Sequence, residues 1–263
     1  MKATERSVLL TGASGGLGHA IARALAAAGA ELALSGRRAD VLEPLGDELS
    51  ARVLAVDLAE RAAPAALAEW AGDVDVLVAN AALPASGVLD DYTPEQVDRA
   101  LDVNLRAPIQ LVRAVMPGMI ARRRGALVFV SSIAGKATTP GQALYSATKF
   151  GLRGFALALR EDLRGSGVSV SSIFPGFIRG AGMFADAGVA LPRGVGTRAP
   201  EDVAAAVLRA IERGPAEIDV APLSMRLGAK FGGMAPATAN RVARRMGSED
   251  LARRFAAAQR IKR

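Results

Sequence analysis

The stretch VLLTGASGGLG, residues 8–18, decides how the rest of the chain is read, because its five central letters satisfy two unrelated motifs. As G-x-S-x-G, residues 12–16 match the elbow that presents a nucleophilic serine. As a glycine-rich turn between an apolar strand and a helix, the same letters let backbone amides approach the phosphates of a dinucleotide. A nucleophilic Ser14 needs a histidine to take its proton, and the chain holds one histidine, His19. Five residues on, along the helix that the glycines open, its ring cannot easily fold back onto the hydroxyl. A phosphate cradle asks only for what is present: Gly12, Gly16 and Gly18 where a strand turns into a helix, with Ser14, Gly15 and Leu17 between them.

Outward from this turn, short apolar runs alternate with Ala-rich helical stretches, the βαβα rhythm of a parallel sheet covered on both faces. The runs SVLLTG (7–12), ELALSG (31–36), RVLAVD (52–57), VDVLVAN (74–80), ALVFVSS (126–132), VSVSSIFPG (168–176) and EIDVAP (217–222) are continuous rather than alternating. Strands buried on both faces read this way. Helices are expected at about 17–29, 40–49, 60–71, 94–122, 143–165 and 200–213. Gly29 stops the first, and TPEQ carries a capping-box pattern with Thr93 as N-cap, Pro94 at the first helical position and Gln96 three residues on.

The expected fold class is therefore α/β: a single-domain, Rossmann-type doubly wound parallel sheet of about seven strands with helices on both faces. Residues 1–221 form its main part, with the glycine-rich but apolar segment 177–199 as a candidate lid. Residues 222–263 read as a helical extension of the same domain, Ser248 capping a last helix whose Leu251, Phe255 and Ala258 share a face.

The 263 residues are 51% hydrophobic and 22% charged, a folded globule's balance. With no cysteine, disulfides, thiolate metal sites and a catalytic thiol are excluded, and no metal is expected. No apolar signal segment opens the chain, and no run approaches the roughly 20 apolar residues of a membrane span, so the expected location is cytoplasmic. The net charge of +7 is unevenly spread. Residues 222–263 hold ten Lys/Arg against Glu249 and Asp250, and the remainder is 23 basic against 24 acidic. Basicity thus belongs to the tail, which reads as a solvated helix capping the pocket or a subunit interface, with docking of an acidic carrier protein or contact with an anionic membrane surface as the alternatives. Nucleic acid is not expected, since no aromatic platform accompanies the arginines.

Two further stretches carry chemistry. At the tip of the second strand the sequence reads Ser35-Gly36-Arg37-Arg38, with no acid for a ribose 2′-hydroxyl and two guanidinium groups suited to a 2′-phosphate, so NADP(H) is expected over NAD(H). In SSIAGKATTPGQALYSATK, residues 131–149, Tyr145 and Lys149 stand four apart on one helix face. An ammonium beside a phenol favours the phenolate, which suits Tyr145 to proton transfer, and Ser132 at a strand end could hydrogen-bond a substrate carbonyl.

Together these motifs resemble the short-chain dehydrogenase/reductase family over roughly residues 5–221: TGASGGLG for TGxxxGxG, Asp57 in VDL, Asn80 in ANAA, Asn104 in VNL, Ser132, YSATK for YxxxK, and Pro175-Gly176 after the sixth strand. The resemblance implies an NAD(P)-dependent oxidoreductase that interconverts a ketone or aldehyde with an alcohol. Tyr145 would be the general acid in reduction and the base in oxidation, with Lys149 holding the nicotinamide ribose and Ser132 polarising the carbonyl. Asn104 would bind a water in the relay that reprotonates the tyrosine through Lys149. The cofactor would be contacted by the glycine loop, Arg37, Arg38, Asp57, Leu58, Asn80, Ala81, Tyr145, Lys149, Pro175, Gly176 and Ile178. A homodimer or homotetramer built on the helices at 94–122 and 143–165 is implied as well.

Three positions depart from the family pattern. The NNAG of the fourth strand is Ala79-Asn80-Ala81-Ala82, Gly180 replaces the threonine of PGxxxT, and Gly15 stands where many NADP-using relatives carry a basic residue. Phe177, Met183, Phe184 and Leu191 of the lid, faced by Ala137 and Leu144, suggest a pocket for a lipid-like, acyl or cyclic carbonyl. The competing assignment is a regulatory module that senses NADP(H) without turnover; such a module needs the cradle but not the Ser132, Tyr145, Lys149 and Asn104 set.

Overall fold

A computed structural model describes residues 6–191, 195–245 and 248–259. In chain order its strands are β1 (Ser7–Thr11), β2 (Glu31–Gly36), β3 (Arg52–Ala55), β4 (Val76–Ala79), β5 (Gly125–Val130), β6 (Val168–Pro175) and β7 (Glu217–Val220). They form one parallel sheet in the order β3-β2-β1-β4-β5-β6-β7. Strand order reverses between β1 and β4, so the chain leaves their carboxyl ends in opposite directions and a crevice opens there.

The helices are α1 (Gly16–Ala27), α2 (Ala39–Leu49), α3 (Ala63–Ala71), α4 (Pro94–Leu101), α5 (Ala107–Ala121), α6 (Ala143–Asp162), α7 (Gly182–Ala187), α8 (Pro200–Arg213), α9 (Leu223–Met234), α10 (Pro236–Arg245) and α11 (Ser248–Gln259). Two layers of them explain the continuous apolar runs. Val8, Leu10, Val76 and Val128 face Ile21, Leu25, Val203 and Val207 of α1 and α8. The alternate residues Leu9, Leu77, Leu127 and Phe129 face Leu67, Leu111, Met119 and Leu152 of α3, α5 and α6. Each such side chain contributes about 1.5–3 kcal/mol by leaving water, so a polar residue is disfavoured on either side of a strand.

The helix expected over 94–122 is interrupted. Its start carries the capping box: Thr93 Oγ1 accepts from the Gln96 N–H and Gln96 Oε1 from the Thr93 N–H. Between α4 and α5, however, Asp102–Arg106 form a π-helical turn in which the Ala107 N–H donates to the Asp102 carbonyl five residues back. Pro108 supplies the reason, for it has no N–H to give the carbonyl of Asn104 four residues earlier. The widened turn places Asn104 in the buried interior.

After β7 the tail is helical, and three helices are described there, α9, α10 and α11. Of the face expected on the last of them, Phe255 is buried, Ala258 lines a cavity, and the side chain of Leu251 lies outside the described residues. Among the described residues, no helix is long and apolar enough to cross a membrane, and no cluster of His, Cys, Asp and Glu could hold a metal.

Candidate active site

Two adjoining cavities open at the carboxyl end of the sheet. One, of about 540 Å³, is walled by the β1–α1 turn, the tip of β2 and the ends of β3 and β4. Gly12, Ser14, Gly15, Gly16, Leu17 and Gly18 all line it. Gly12 has a left-handed φ of +68°, and a Cβ there would lie 2.7 Å from the Ala81 Cα, so only glycine fits the turn. The first turn of α1 carries no acid, which leaves its N–H groups a favourable end for an anion. Asn80 ties the turn to the sheet: its Nδ2 donates to the carbonyls of Thr11 and Gly12 at 3.1 Å each, while Thr11 Oγ1 accepts from the N–H groups of Asn80 and Ala81.

Arg37, Arg38, Asp57 and Leu58 sit at the far end of the same cavity. Arg38 donates to the Ser14 carbonyl, which brings its guanidinium across the mouth of the glycine turn. Asp57 accepts from the Ala59 N–H at 3.0 Å and from Arg99 at 2.6 Å. Burial raises the Asp57 pKa, but these bonds and the charges of Arg99 and Arg37 outweigh it and keep the carboxyl ionised. His19 is no partner for Ser14: its Nε2 is buried without a hydrogen-bond partner, and burial followed by Arg23 and Arg38 lowers its pKa.

The second cavity, of about 510 Å³, contains Ser132, Tyr145 and Lys149. β5 ends at Val130, and Ser132 caps the short turn Ile133–Gly135, its Oγ accepting from the Ala134 N–H at 3.2 Å. Lys136 fixes that turn to β7 through Glu217 at 2.9 Å and through Asp219. Tyr145 and Lys149 project from the first turns of α6, where the Lys149 ammonium donates to the Val130 carbonyl at 3.3 Å and stands 5.6 Å from the Tyr145 ring centroid. The expected lowering of the tyrosine by the lysine is not what governs here. Burial pushes the Tyr145 phenol up to about 12, against the downward pull of its Ser132 hydrogen bond. Burial likewise pushes Lys149 down to about 8.

Asn104 is buried. Its side chain is spent on the backbone of Leu83, Oδ1 accepting from the Leu83 N–H at 2.6 Å and Nδ2 donating to the Leu83 carbonyl at 3.0 Å. Pro108, four residues on, has no N–H to give the Asn104 main-chain carbonyl.

Phe177, Met183 and Phe184 line the second cavity, and so do Pro175, Gly176 and Ile178, which the resemblance assigns to the cofactor. Leu144 does not. One residue before Tyr145, it leaves α6 at a different angle and packs with Ala85 and Ala100 in a small separate core. Leu191 is likewise absent from the wall, whereas Ala137 is part of it. Gly180, at the threonine position, is exposed with a left-handed φ of +76°.

Two contributors escaped the sequence. Phe255 of α11 stacks on Phe177 at 5.9 Å and lies 5.7 Å from Phe184, closing an aromatic roof over the cavity. One turn further, Gln259 is 6% exposed, lines both cavities, and donates from Nε2 to the Met183 carbonyl at 3.4 Å; its Oε1 is buried with no partner. The i, i+4 pair Phe255 and Gln259 on an otherwise Ala- and Arg-rich helix was the available signal.

An α/β nucleotide-type crevice joined to a cavity with a Ser–Tyr–Lys set defines an oxidoreductase class, and comparison with known proteins gives the family. The short chain dehydrogenase model matches residues 6–189, and the chain belongs to that family. It is 34% identical over 226 residues to the ketoacyl reductase HetN of Nostoc sp., covering 82% of this chain and 79% of that one. It is 34% identical over 178 residues to the 3-oxoacyl-[acyl-carrier-protein] reductase FabG of Rickettsia prowazekii, covering 67% and 74%. A metagenomic short-chain oxidoreductase solved in complex with NADP superposes with a TM-score of 0.70 at 33% identity, over 84% of this chain and 98% of that one.

Proposed function

We propose that this short-chain dehydrogenase reduces an apolar or acyl-type carbonyl with NADPH. The observation that carries this is the juxtaposition of Ser132, Tyr145 and Lys149 beneath the aromatic roof of one cavity, directly beside the glycine-lined cavity. The relatives named as ketoacyl reductases and the neighbour holding NADP support it.

The residues present fit a nicotinamide dinucleotide: a turn where a Cβ has no room, an acid-free helix start, and two arginines at the β2 tip. The glycine turn would hold the pyrophosphate, Asp57 and Leu58 the adenine, and Arg37 and Arg38 a 2′-phosphate. Asn80, Ala81, Pro175, Gly176 and Ile178 would flank the nicotinamide end. When bound, the cofactor supplies the hydride. The chain's own part is placement and the proton. Ser132 donates to the carbonyl oxygen, and Tyr145, protonated at neutral pH, gives up its proton there. Lys149, charged below about 8, steadies the phenolate as it forms and passes a proton back to it. That differs from a pure sensor, which has no need of the three groups together.

A panel of acyl thioesters, steroids and small cyclic ketones followed by NADPH absorbance tests the reaction and its substrate class. Arg37→Ala/Arg38→Ala tests the cofactor choice: NADPH affinity is expected to fall about 10- to 100-fold with NADH affinity little changed, in line with the loss of two charge-assisted contacts. Equal affinity of the wild type for NADPH and NADH would sink that assignment. Gln259→Ala is expected to raise the NADPH dissociation rate about fivefold in stopped-flow fluorescence, a hydrogen bond's worth.

We further propose a cytoplasmic homodimer or homotetramer on the outer faces of α4, α5 and α6. Phe150 and Leu157 of α6 and Ile120 of α5 are large apolar side chains left exposed there.

A further inference from the structure

The outward face of α9 is unlike that of any helix in the main layers. Leu223, Leu227, Phe231 and Met234 recur at i, i+4, i+8 and i+11, which sets them on one side of the helix, and all four are exposed, Leu223 at 64% and Met234 at 86%. The opposite side is already used, for Met225 and Ala229 line the catalytic cavity and Ala229 is buried. The stripe is therefore not a core face turned the wrong way. It lies on a different element from the exposed apolar residues of α5 and α6.

Charge accompanies it. Residues 222–248 contain Arg226, Lys230, Arg241, Arg244 and Arg245 and not one acid. Arg226 leans on Asp219 of β7 at 3.8 Å, while Lys230, Arg241, Arg244 and Arg245 are all exposed on α9 and α10. Phe231 and Val242 are exposed and also line the catalytic cavity, so the cavity opens on this same apolar and cationic surface. An acidic carrier protein would meet the cations but leave four large apolar side chains unused. A bilayer with anionic headgroups takes both, with the stripe in the acyl boundary and the cations at the phosphates.

We propose that α9 and α10 form a membrane-surface docking face that sets the mouth of the catalytic cavity against an anionic bilayer, so that a lipophilic carbonyl enters from the lipid. The delivery of substrate rests on the carbonyl-reductase reading above, whereas docking does not. Flotation contains neither carbonyl nor nucleotide, so its failure and the failure of that reading are separate results.

The test is flotation of the full chain with phosphatidylglycerol/phosphatidylcholine vesicles and with phosphatidylcholine vesicles alone. The wild type is expected to float with the anionic vesicles, at least about tenfold better than with the neutral ones, and to be released by 1 M salt, where the screening length shrinks to about 3 Å. Leu223→Ser/Leu227→Ser/Met234→Ser, which touches no cavity-lining residue, is expected to lose at least about tenfold in partitioning while turning over a water-soluble carbonyl normally. Lys230→Glu/Arg241→Glu/Arg244→Glu is expected to abolish the preference for anionic lipid. The proposal is overturned if the wild type stays with the soluble fraction for both vesicle types, or if neither variant changes its flotation. It is overturned equally if the Ser variant alters only the oligomeric state in solution, which would make the face a contact between copies. Retention of an acidic carrier protein without vesicle binding would assign the face to that partner instead.

Discussion

Tyr145→Phe is expected to lower kcat for every accepted carbonyl by about 10²- to 10⁴-fold, the usual worth of a positioned acid, while leaving NADPH affinity within about twofold of wild type. The phenol oxygen is hydrogen-bonded to Ser132, which is suited to a carbonyl, and the Lys149 ammonium stands 5.6 Å from the ring centroid. Burial keeps it protonated through the physiological range, so it meets the substrate as a donor. Phenylalanine preserves the ring and its packing and removes only that oxygen. Steady-state absorbance gives kcat, and fluorescence titration gives NADPH affinity. Unchanged turnover would refute the mechanism, and no turnover in either protein with nucleotide binding intact would favour the sensing module.

Lys149→Met is expected to abolish turnover and to make the protein more stable. Lys149 is 2% exposed, with the Val130 carbonyl as its hydrogen-bond partner and, among the described residues, no carboxylate in an ion pair with it. Its displacement from an ordinary lysine to about 8 corresponds to roughly 3 kcal/mol of unfavourable burial, an upper bound on what an apolar isostere recovers. Each kcal/mol recovered raises Tm by about 2–4 °C in a chain of this size. The pH dependence carries the sign. Below about 8 the lysine is charged in both folded and unfolded chains and the full cost applies. Between about 8 and 10.5 the unfolded chain still holds the proton that the folded one has released, so wild-type stability rises with pH. The gap to Lys149→Met is therefore widest at neutral pH and closes toward pH 10.5, as denaturant midpoints across that range would show. A stability gap independent of pH would mean that the burial of charge is not its source.

The sheet was legible because both of its faces are covered: ELALSG needs apolar residues at Leu32 and Leu34 for one layer and at Ala33 for the other, so the strand announces itself as a run. The Tyr145 and Lys149 spacing was legible for the same kind of reason, a local periodicity with one outcome. What escaped is one local exception and contacts distant in sequence. The π-turn at Asp102–Arg106 follows from Pro108, a residue that on a helical pattern looks like a tolerated first-turn proline. Leu144 adjoins the tyrosine in sequence, yet α-helical rotation sends it to Ala85 and Ala100. The sequence put Phe255 on one face of the last helix and allowed the tail to cap the pocket, but no strong local pattern singled out Phe255 and Gln259 as the residues placed over it.

That placement has a thermodynamic consequence. Gly182, Met183 and Gln259 are walls of both cavities at once, and Gly16 of the first turn has its Cα so near the lid that a Cβ there would sit 2.7 Å from the Ala181 Cβ. Two molecules bound side by side would press on the same partition. Whatever factor the nucleotide applies to the affinity of the second molecule, the second molecule must apply to the nucleotide. Affinities measured for either one alone would then describe only two of the four states of the pair, and the coupling between them is a property of that partition.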